Sequence, residues 1–159
     1  MPGPVLNLSA LKERLDASRR DGARIVLTNG VFDLLHVGHL RYLRQARELG
    51  DVLVVGINAD DSVRKPGRPL VSDTERAELV AALEPVDYVV IFDQVTADEL
   101  IRALRPSIYA KGGDYSEASL PEATTVHEIG ADIAFLPLTP DRSSSRMIGM
   151  LEQIIGRMC

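Results

Sequence analysis

The hydrophobic positions of this chain change spacing after the first twenty residues. Leu8, Leu11 and Leu15 recur at helical spacing and, with Ser9 as a candidate N-cap, predict an amphipathic helix through Ala10–Arg20. Five short, β-branched and nearly continuous apolar runs follow, which are typical of strands covered on both faces. These runs are Arg24–Thr28, Asp51–Asn58, Asp87–Phe92, Ser107–Lys111 and Asp132–Leu138. The pattern therefore predicts five strands.

Helical patterns with recognisable ends separate these strands. They are His39–Leu49, Asp73–Leu83, Thr96–Leu104, a shorter one around Glu122–Ile129, and a final helix from about Ser144. Ser72-x-x-Glu75 and Thr96-x-x-Glu99 predict capping boxes at two of the starts. Strict alternation of strands and helices requires right-handed crossovers, so we predict an α/β, Rossmann-like, doubly wound five-stranded parallel sheet flanked by helices. In such a sheet a ligand binds beyond the carboxyl ends of the strands.

Length and composition predict one globular domain over residues 1–159, with residues 1–8 as a flexible leader. The formal charge of −5 disfavours a nucleic-acid partner, which would need a broadly basic face. No apolar run approaches the ~20 residues of a membrane span. Cys159 is the one cysteine, so no internal disulfide framework is expected and a cytoplasmic location is predicted.

Two histidines frame a glycine directly after the first strand. His36 and His39 stand at i and i+3 beside a helix expected to start at about Gly38. The free amides of a helix N-terminus attract anions, and Gly30 and Gly38 allow close approach of a ligand. This arrangement is suited to holding a phosphate.

Two other interpretations of the histidine pair are possible. The imidazoles could ligate a metal, but no Cys, Asp or Glu stands at the spacing of a third ligand on that helix. They could also be capping or packing residues without a function. Their position at a strand-to-helix turn of an α/β sheet favours a functional role.

Polar residues also follow the fourth and fifth strands. Ser143, Ser144 and Ser145 come after Arg142 and open the last helix, where hydroxyls and free amides can bind a second anion. Lys111 ends a buried strand, where a charge is costly unless it points into the crevice. Gly112 and Gly113 fit a tight turn beside a ligand, and Asp114 could bind a substrate hydroxyl or cap that turn.

Three of these segments resemble motifs of a known enzyme superfamily. His36–His39 (HVGH), preceded by Thr28–Asp33 (TNGVFD), resembles the HxGH signature of the nucleotidyltransferase superfamily. Lys111–Tyr115 (KGGDY) resembles a segment typical of the adenylyltransferase domain that activates D-glycero-D-manno-heptose 1-phosphate. Arg142–Ser145 (RSSS) is similar to the last-helix motif of that family. Three motifs in order are far more specific than HxGH alone.

This resemblance extends from about Arg24 to Ile155, because Gly67–Pro69 (GRP) and Glu75–Arg76 also fit the family. It implies transfer of AMP from ATP, carried with Mg²⁺, to a sugar 1-phosphate with release of pyrophosphate. It also implies a homodimer and no metal held by protein side chains.

The resemblance implies roles for individual residues. The catalytic residues are His36, His39 and Lys111, with the histidines bonding the α-phosphate and neutralising the charge that builds on it. The nucleotide-binding residues are Asn29, Gly30, Val31, Phe32, Gly38, Gly112, Asp114, Arg142, Ser143, Ser144 and Ser145. Asp33 is expected to brace the loop without a catalytic role.

The acceptor is less well defined by the sequence. Asn58 follows the second strand, and Arg64 and Lys65 can supply charge to an acceptor phosphate, but their loop is shorter than in the heptose family. One alternative is a cytidylyltransferase that uses CTP and glycerol 3-phosphate or an alcohol-amine phosphate. Another is a nucleotide-sensing module without turnover, which would have no need of transition-state donors.

Overall fold

The computed structural model describes residues 1–113 and 115–159. Within them the chain forms six α-helices and five strands. The helices are α1 (Leu8–Arg20), α2 (Val37–Glu48), α3 (Asp73–Ala81), α4 (Asp98–Leu104), α5 (Ala123–Glu128) and α6 (Ser144–Met158). The strands are β1 (Ile25–Gly30), β2 (Val52–Asn58), β3 (Tyr88–Phe92), β4 (Ile108–Gly112) and β5 (Asp132–Leu136).

The strands form one parallel sheet in the order β3-β2-β1-β4-β5. The chain moves outward from β1 through β2 to β3, and then returns to the other side of β1 with β4. The order in which strands are added therefore reverses between β1 and β4. The carboxyl ends of these two strands flank the crevice where such folds bind ligands. The predicted doubly wound fold is confirmed.

Alternation along the strands divides the core into two layers. Ile25 and Leu27 of β1 pack on the face covered by α1, α4 and α5, whereas Val26 packs on the face covered by α2 and α3. All three are at most 1% exposed. Burying one such side chain stabilises the fold by about 1.5–3 kcal/mol, so both helix layers are held firmly on the sheet.

Some element ends differ from the sequence predictions. The cap at Ser72 is confirmed, since its hydroxyl accepts from the Glu75 amide at 3.4 Å. The second predicted capping box is wrong, because the N-cap of α4 is Ala97 and the Thr96 hydroxyl donates to Asp98 at 2.6 Å. Helix α1 begins earlier than expected and is capped by Asn7 rather than by Ser9.

The first residues are hydrogen-bonded to the sheet rather than forming the expected flexible leader. Val5 forms a parallel bridge with Val89 of β3, and the Leu6 amide donates to the Val89 carbonyl at 2.8 Å. The Gly3 amide donates to the carbonyl of Ala81 at 2.8 Å. An edge strand offers unpaired backbone groups, and this segment satisfies some of those of β3.

Helix α6 differs from the other helices because none of its residues is buried. Its exposed apolar side chains are Met147, Met150, Leu151, Ile154, Ile155 and Met158, which we call the α6 apolar face. Across the described part of the chain, neither α6 nor any other helix combines the length and apolarity needed to cross a membrane.

Candidate functional site

A cleft of about 270 Å³ lies at the carboxyl ends of β1 and β4, where the strand order reverses. Its walls are the loop after β1, the first turns of α2, the end of β4 and the start of α6. The lining residues are Asn29, Gly30, Val31, Phe32, His36, Gly38, His39, Tyr42, Lys111, Gly112, Leu138, Thr139, Arg142, Ser143 and Ser144. Residues that the sequence predicts to act together are thus brought together from four segments.

The imidazole rings of His36 and His39 cap the start of α2. His36 is the N-cap, and its Nδ1 accepts from the Gly38 amide at 3.1 Å. The Nδ1 of His39 accepts from the His36 amide at 3.2 Å, which completes a capping box made of two imidazoles. Because both Nδ1 atoms accept hydrogen bonds, each neutral ring carries its proton on Nε2. The helix start therefore presents two Nε2–H donors.

Both imidazoles are neutral at neutral pH in the free protein. Burial, and to a smaller extent the neighbouring His36, together lower the pKa of His39 to about 4. Burial also lowers the pKa of His36, with a second contribution from the positive charge of Arg142. The ring centroids lie 4.0 Å apart, so two charges there would repel strongly. In the free protein the histidines are neutral donors rather than the source of positive charge.

Gly38 leaves room for this arrangement. A Cβ atom at this position would lie 2.8 Å from the Cε1 and Nδ1 atoms of His36 and 3.2 Å from the Cβ of Arg142. The first of these distances is shorter than real side chains allow, so the ring of His36 would have to move. A glycine is needed here because the start of α6 and the ring of His36 pack against α2 at this point.

The loop between β1 and α2 is strained and strongly braced. Phe32 and Leu34 have positive φ angles of 53° and 48°, which non-glycine residues rarely adopt. Between them, buried Asp33 accepts hydrogen bonds from Arg68 Nε at 2.7 Å and from the amides of Leu70 and Val71 at 2.9 and 3.1 Å. Burial raises the pKa of Asp33, but these hydrogen bonds outweigh it and the net shift is downward. The expected bracing role of Asp33 is what the contacts show.

Arg76 is a second brace, and its side chain is completely buried beneath the cleft. Its guanidinium donates to three backbone carbonyls, of Val31 at 2.5 Å, Asn58 at 2.9 Å and Val71 at 2.8 Å. It also pairs with Asp60 at 2.6 Å. One side chain thereby joins the ends of β1 and β2 to the start of α3.

The serines of α6 have different environments. The Ser143 hydroxyl oxygen caps the helix by accepting from the Arg146 amide at 3.0 Å, which leaves its proton available to a ligand. The Ser144 hydroxyl donates to the carbonyls of Asp33 and Leu34, the latter at 3.1 Å. Ser144 therefore ties α6 to the β1–α2 loop, and what it offers to a ligand is its amide. Ser145 is exposed.

Lys111 and Gly112 form the β4 side of the cleft. A Cβ atom on Gly112 would lie 2.9 Å from Leu138 and 3.0 Å from the ring of Tyr42, so the strand end packs closely against both. Burial lowers the pKa of the Lys111 ammonium, and the charge of Glu122 offsets part of that effect. The ammonium also lies 5.7 Å from the ring centroid of Tyr115.

Two buried tyrosines position polar groups around the cleft. The Tyr42 hydroxyl donates to the Ala110 carbonyl at 3.1 Å and lies 2.7 Å from the Thr28 hydroxyl, which fixes α2 to β4 and β1. Burial raises the pKa of Tyr42 to about 12, so this hydroxyl stays protonated. The Tyr109 hydroxyl donates to Oδ1 of Asn29, which leaves the amide nitrogen of Asn29 as a donor.

The predicted acceptor residues lie apart from this cleft. Among the described residues, its walls do not include Asn58, Arg64 or Lys65, and they also lack Ser145, which was predicted to bind the nucleotide. Arg64 and Lys65 are exposed, and Asn58 is buried with its carbonyl bound by Arg76. Asp114 lies outside the described residues.

Three cleft residues were not predicted from the sequence. Leu138 and Thr139 follow β5, which ends at Leu136. They were not expected in the cleft because the strand was predicted to extend to Leu138. Tyr42 stands three residues after His39, so helical spacing could have placed it on the same face. In the described ranges 1–113 and 115–159, no group of three or more His, Cys, Asp or Glu side chains could hold a metal ion.

Known proteins resemble this chain in sequence and in fold. The model of the family named Cytidylyltransferase-like matches residues 27–148. Bifunctional protein HldE of Syntrophotalea carbinolica is 46% identical over 151 residues, which cover 93% of this chain and 30% of that protein. For bifunctional protein HldE of Methylobacillus flagellatus the identity is 45% over 150 residues, covering 92% of this chain and 31% of the relative. The chain thus spans about 30% of the length of these relatives.

A solved structure is also similar. The crystal structure of the lipopolysaccharide core biosynthesis protein from Thermoplasma volcanium GSS1 aligns with a TM-score of 0.63 and 28% sequence identity. The alignment covers 74% of this chain and 98% of that one.

Proposed function

The chain belongs to the cytidylyltransferase-like family, and from this membership we propose that it is a nucleotidyltransferase that transfers AMP from ATP to a sugar 1-phosphate and releases pyrophosphate. Mg²⁺ enters the reaction as part of the nucleotide substrate. The expected acceptor is D-glycero-D-manno-heptose 1-phosphate. A cytoplasmic location stays a prediction.

The observation that supports this proposal most strongly is the convergence of two helix N-termini on one cleft. The starts of α2 and α6 both line it, and the N-terminal end of a helix favours negative charge. Two neutral imidazole donors stand on one side, with the cations of Arg142 and Lys111 nearby. A triphosphate carries several negative charges along one chain, and this is the kind of ligand that such a surface fits.

The reaction needs no covalent intermediate on the protein. An oxygen of the acceptor phosphate attacks the α-phosphorus of ATP, and the bond from that phosphorus to the bridging α–β oxygen breaks. The bond electrons leave with pyrophosphate, and since the attacking oxygen is already ionised no proton has to be removed. Catalysis then consists of positioning and charge stabilisation.

Each group of the cleft has a place in this scheme. His36 and His39 donate from Nε2 to the α-phosphate oxygens, where charge develops in the transition state. Arg142 and Ser143 hold the β- and γ-phosphates together with the free amides of Ser144 and Ser145 at the first turn of α6. Lys111 contacts phosphate from the β4 side.

On the nucleoside side, Asn29, Gly30, Gly38 and Gly112 line the cleft, with Asp114 proposed as a further contact. The amides of Val31 and Phe32 are proposed to face the phosphates. Arg64 and Lys65 are proposed to orient the acceptor, together with Asn58. Because the first two are exposed on a loop, an acceptor phosphate can reach them without disturbing the buried brace at Arg76.

The choice of heptose rests on similarity. The KGGDY segment, the identity to the HldE proteins and the likeness to a lipopolysaccharide core biosynthesis protein all support it. A cytidylyltransferase acting on glycerol 3-phosphate or an alcohol-amine phosphate would use the same cleft, and the family model supports that chemistry.

A pyrophosphate-release assay tests the proposal. It crosses ATP, CTP, GTP and UTP with heptose 1-phosphate, other sugar 1-phosphates, glycerol 3-phosphate and phosphocholine, in the presence of Mg²⁺. We expect release with ATP and heptose 1-phosphate. Release with CTP and a polyol phosphate instead would show that the proposed substrates are wrong. Nucleotide binding without any release would contradict an enzymatic role.

We also propose a homodimer, which the α6 apolar face supports. Six large apolar side chains on one helix are between 39% and 81% exposed, which is costly for an isolated chain. Ile154→Asp should shift a dimer to monomer in light scattering, while Ser18→Asp at a partly exposed position of α1 should not. A wild-type chain that is monomeric at assay concentrations would contradict the dimer.

A further inference from the structure

A carboxylate that the proposed mechanism does not use is buried at the start of α5. Glu122 is only 4% exposed and lies at the start of α5. Its Oε1 accepts a hydrogen bond from the amide of Ala97 at 3.1 Å. Its Oε2 is the one buried side-chain atom in the described residues that has no hydrogen-bond partner. Burying a charged oxygen without a partner is costly, so its presence needs an explanation.

The strand geometry places Lys111 on the same face of the sheet as this carboxylate. Tyr109 and Lys111 are two residues apart on β4, so their side chains leave the same face of the sheet. That face is covered by α4 and α5, since Tyr109 packs with Leu120 and Val126. Glu122 belongs to this layer, and its negative charge acts on both Lys111 and Tyr109.

We propose that Glu122 is a positioning residue for the transfer reaction, and that its carboxylate is the buried counter-charge that holds the Lys111 ammonium at the β4 side of the cleft. This rests on the proposed function, in which Lys111 contacts phosphate. A lysine ammonium has three protons to donate, so it can remain near Glu122 and still bind a phosphate oxygen.

The other titratable groups around this pair do not supply such a charge. Tyr109 is neutral because burial raises its pKa, and its hydroxyl is bound to Asn29. The Asp98 carboxylate of α4 is already bound by the hydroxyls of Thr96 and Thr125 and lies near the positive charge of Arg102, which offsets its own charge. The ring of Tyr115 lies 5.7 Å from the ammonium, and Asp114 is outside the described residues.

The groups across the cleft do not replace Glu122 either. His36 and His39 are neutral, because burial lowers the pKa of each. Arg142 is positive and therefore opposes the charge on Lys111. Within the described part of the chain, Glu122 is the acidic group that raises the pKa of Lys111 against the effect of burial.

The direct test is an NMR titration of the lysine side chains in the ligand-free protein. The chain has three lysines, Lys12, Lys65 and Lys111, so selective ¹³C labelling at Cε gives few resonances, and Lys→Arg variants of the first two assign them. In Glu122→Gln, which keeps an oxygen for the Ala97 amide, we expect the apparent pKa of Lys111 to fall. The control Glu117→Gln removes an exposed carboxylate that pairs with His127 and should leave it unchanged.

A second measurement follows activity. In Glu122→Gln the ratio of kcat/KM at pH 9 to that at pH 7 should fall on the order of tenfold relative to wild type, because Lys111 loses its proton earlier. Glu122→Asp, which keeps the charge, should restore much of the ratio. The NMR titration needs no turnover, so an inactive wild-type protein would refute the proposed function without deciding the Glu122–Lys111 pairing.

The outcomes are distinct. An unchanged Lys111 titration in folded Glu122→Gln would overturn the proposal. If Glu122→Gln does not fold, Glu122→Gln/Lys111→Met should fold again, because the uncompensated ammonium is gone. A double variant as unstable as the single one would show that Glu122 serves only to hold the start of α4, and would also overturn the proposal.

Discussion

The two helices whose N-termini bound the cleft are attached to the molecule in opposite ways. Helix α2 buries Tyr42, Leu43 and Ala46 against the sheet, and its start is fixed by the paired imidazoles. Helix α6 buries no residue, and the contact of Ser144 with the β1–α2 loop ties its first turn to the domain. One wall of the cleft is thus part of the core, whereas the other is held at a single end.

This difference suggests a division of labour. The transition state must be met by donors in fixed positions, and these are the histidines on the braced wall. The β- and γ-phosphates leave as pyrophosphate, and the groups proposed to hold them lie on the weakly attached wall. In such a site the histidine donors stay in fixed positions while the α6 wall moves to release product.

The largest effect is expected from breaking the brace of the rigid wall. Arg76→Met leaves three backbone carbonyls and Asp60 without their buried donor, so the free energy of unfolding should fall by about 3–5 kcal/mol. Urea denaturation measures this. The control Arg102→Met removes a half-exposed pair with Glu128 and one hydrogen bond to the Thr125 hydroxyl, and it should cost about 1 kcal/mol. Equal losses in the two variants would contradict the bracing role.

Removing the donors themselves comes next. His36→Ala and His39→Ala should each lower kcat on the order of 10²–10³ while the protein stays folded, since lost transition-state donors have that effect. The comparison is His127→Ala, which removes the exposed third histidine and should turn over normally. Near-normal kcat in a folded His36 or His39 variant would exclude the assigned role.

Loosening the other wall should act on binding more than on chemistry. Ser144→Ala removes the hydrogen bonds to the Asp33 and Leu34 carbonyls, so KM for ATP should rise several-fold with a smaller change in kcat. Ser18→Ala removes a hydroxyl contact within α1, to the Arg14 carbonyl, and serves as the control. A drop in kcat as large as that of the histidine variants would mean that the walls do not differ in this way.

A pH dependence of stability is also expected at the rigid wall. His39 titrates near pH 6.5 when unfolded and at about 4 when folded, so the unfolded chain binds more protons between these values. Stability from this group is therefore complete above pH 6.5 and is lost as the pH falls toward 4. The Tm of wild type should fall more steeply over that window than the Tm of His39→Gln, and parallel curves would refute the depressed pKa.

The sequence predicts some features of the fold and of the cleft better than others. Apolar runs predict the five strands and their parallel arrangement. The positions directly after strands predict that His36, His39, Lys111 and Arg142 lie together. Those signals are local, and a parallel sheet brings strand ends together by its topology. Capping of α2 by the imidazole rings was expected only as an alternative to a functional role, since histidines rarely serve as caps, whereas the structure shows rings that both cap the helix and line the cleft.

Long-range contacts could not be predicted in the same way. Arg76 stands on a helix with nothing in its neighbourhood to show that it spans the ends of two strands. Ser144 was expected to bind phosphate because it is one of three equivalent serines, and only the folded loop shows that its hydroxyl is already used. The docking of residues 3–6 on β3 likewise depends on which strand lies at the edge.

The most direct test of the central claim is a crystal structure of the chain with Mg²⁺ and a non-hydrolysable ATP analogue. The account predicts that the triphosphate lies between the starts of α2 and α6, with both imidazole Nε2 atoms within hydrogen-bonding distance of the α-phosphate. Phosphates bound elsewhere, or a nucleotide whose α-phosphate faces away from His36 and His39, would contradict it.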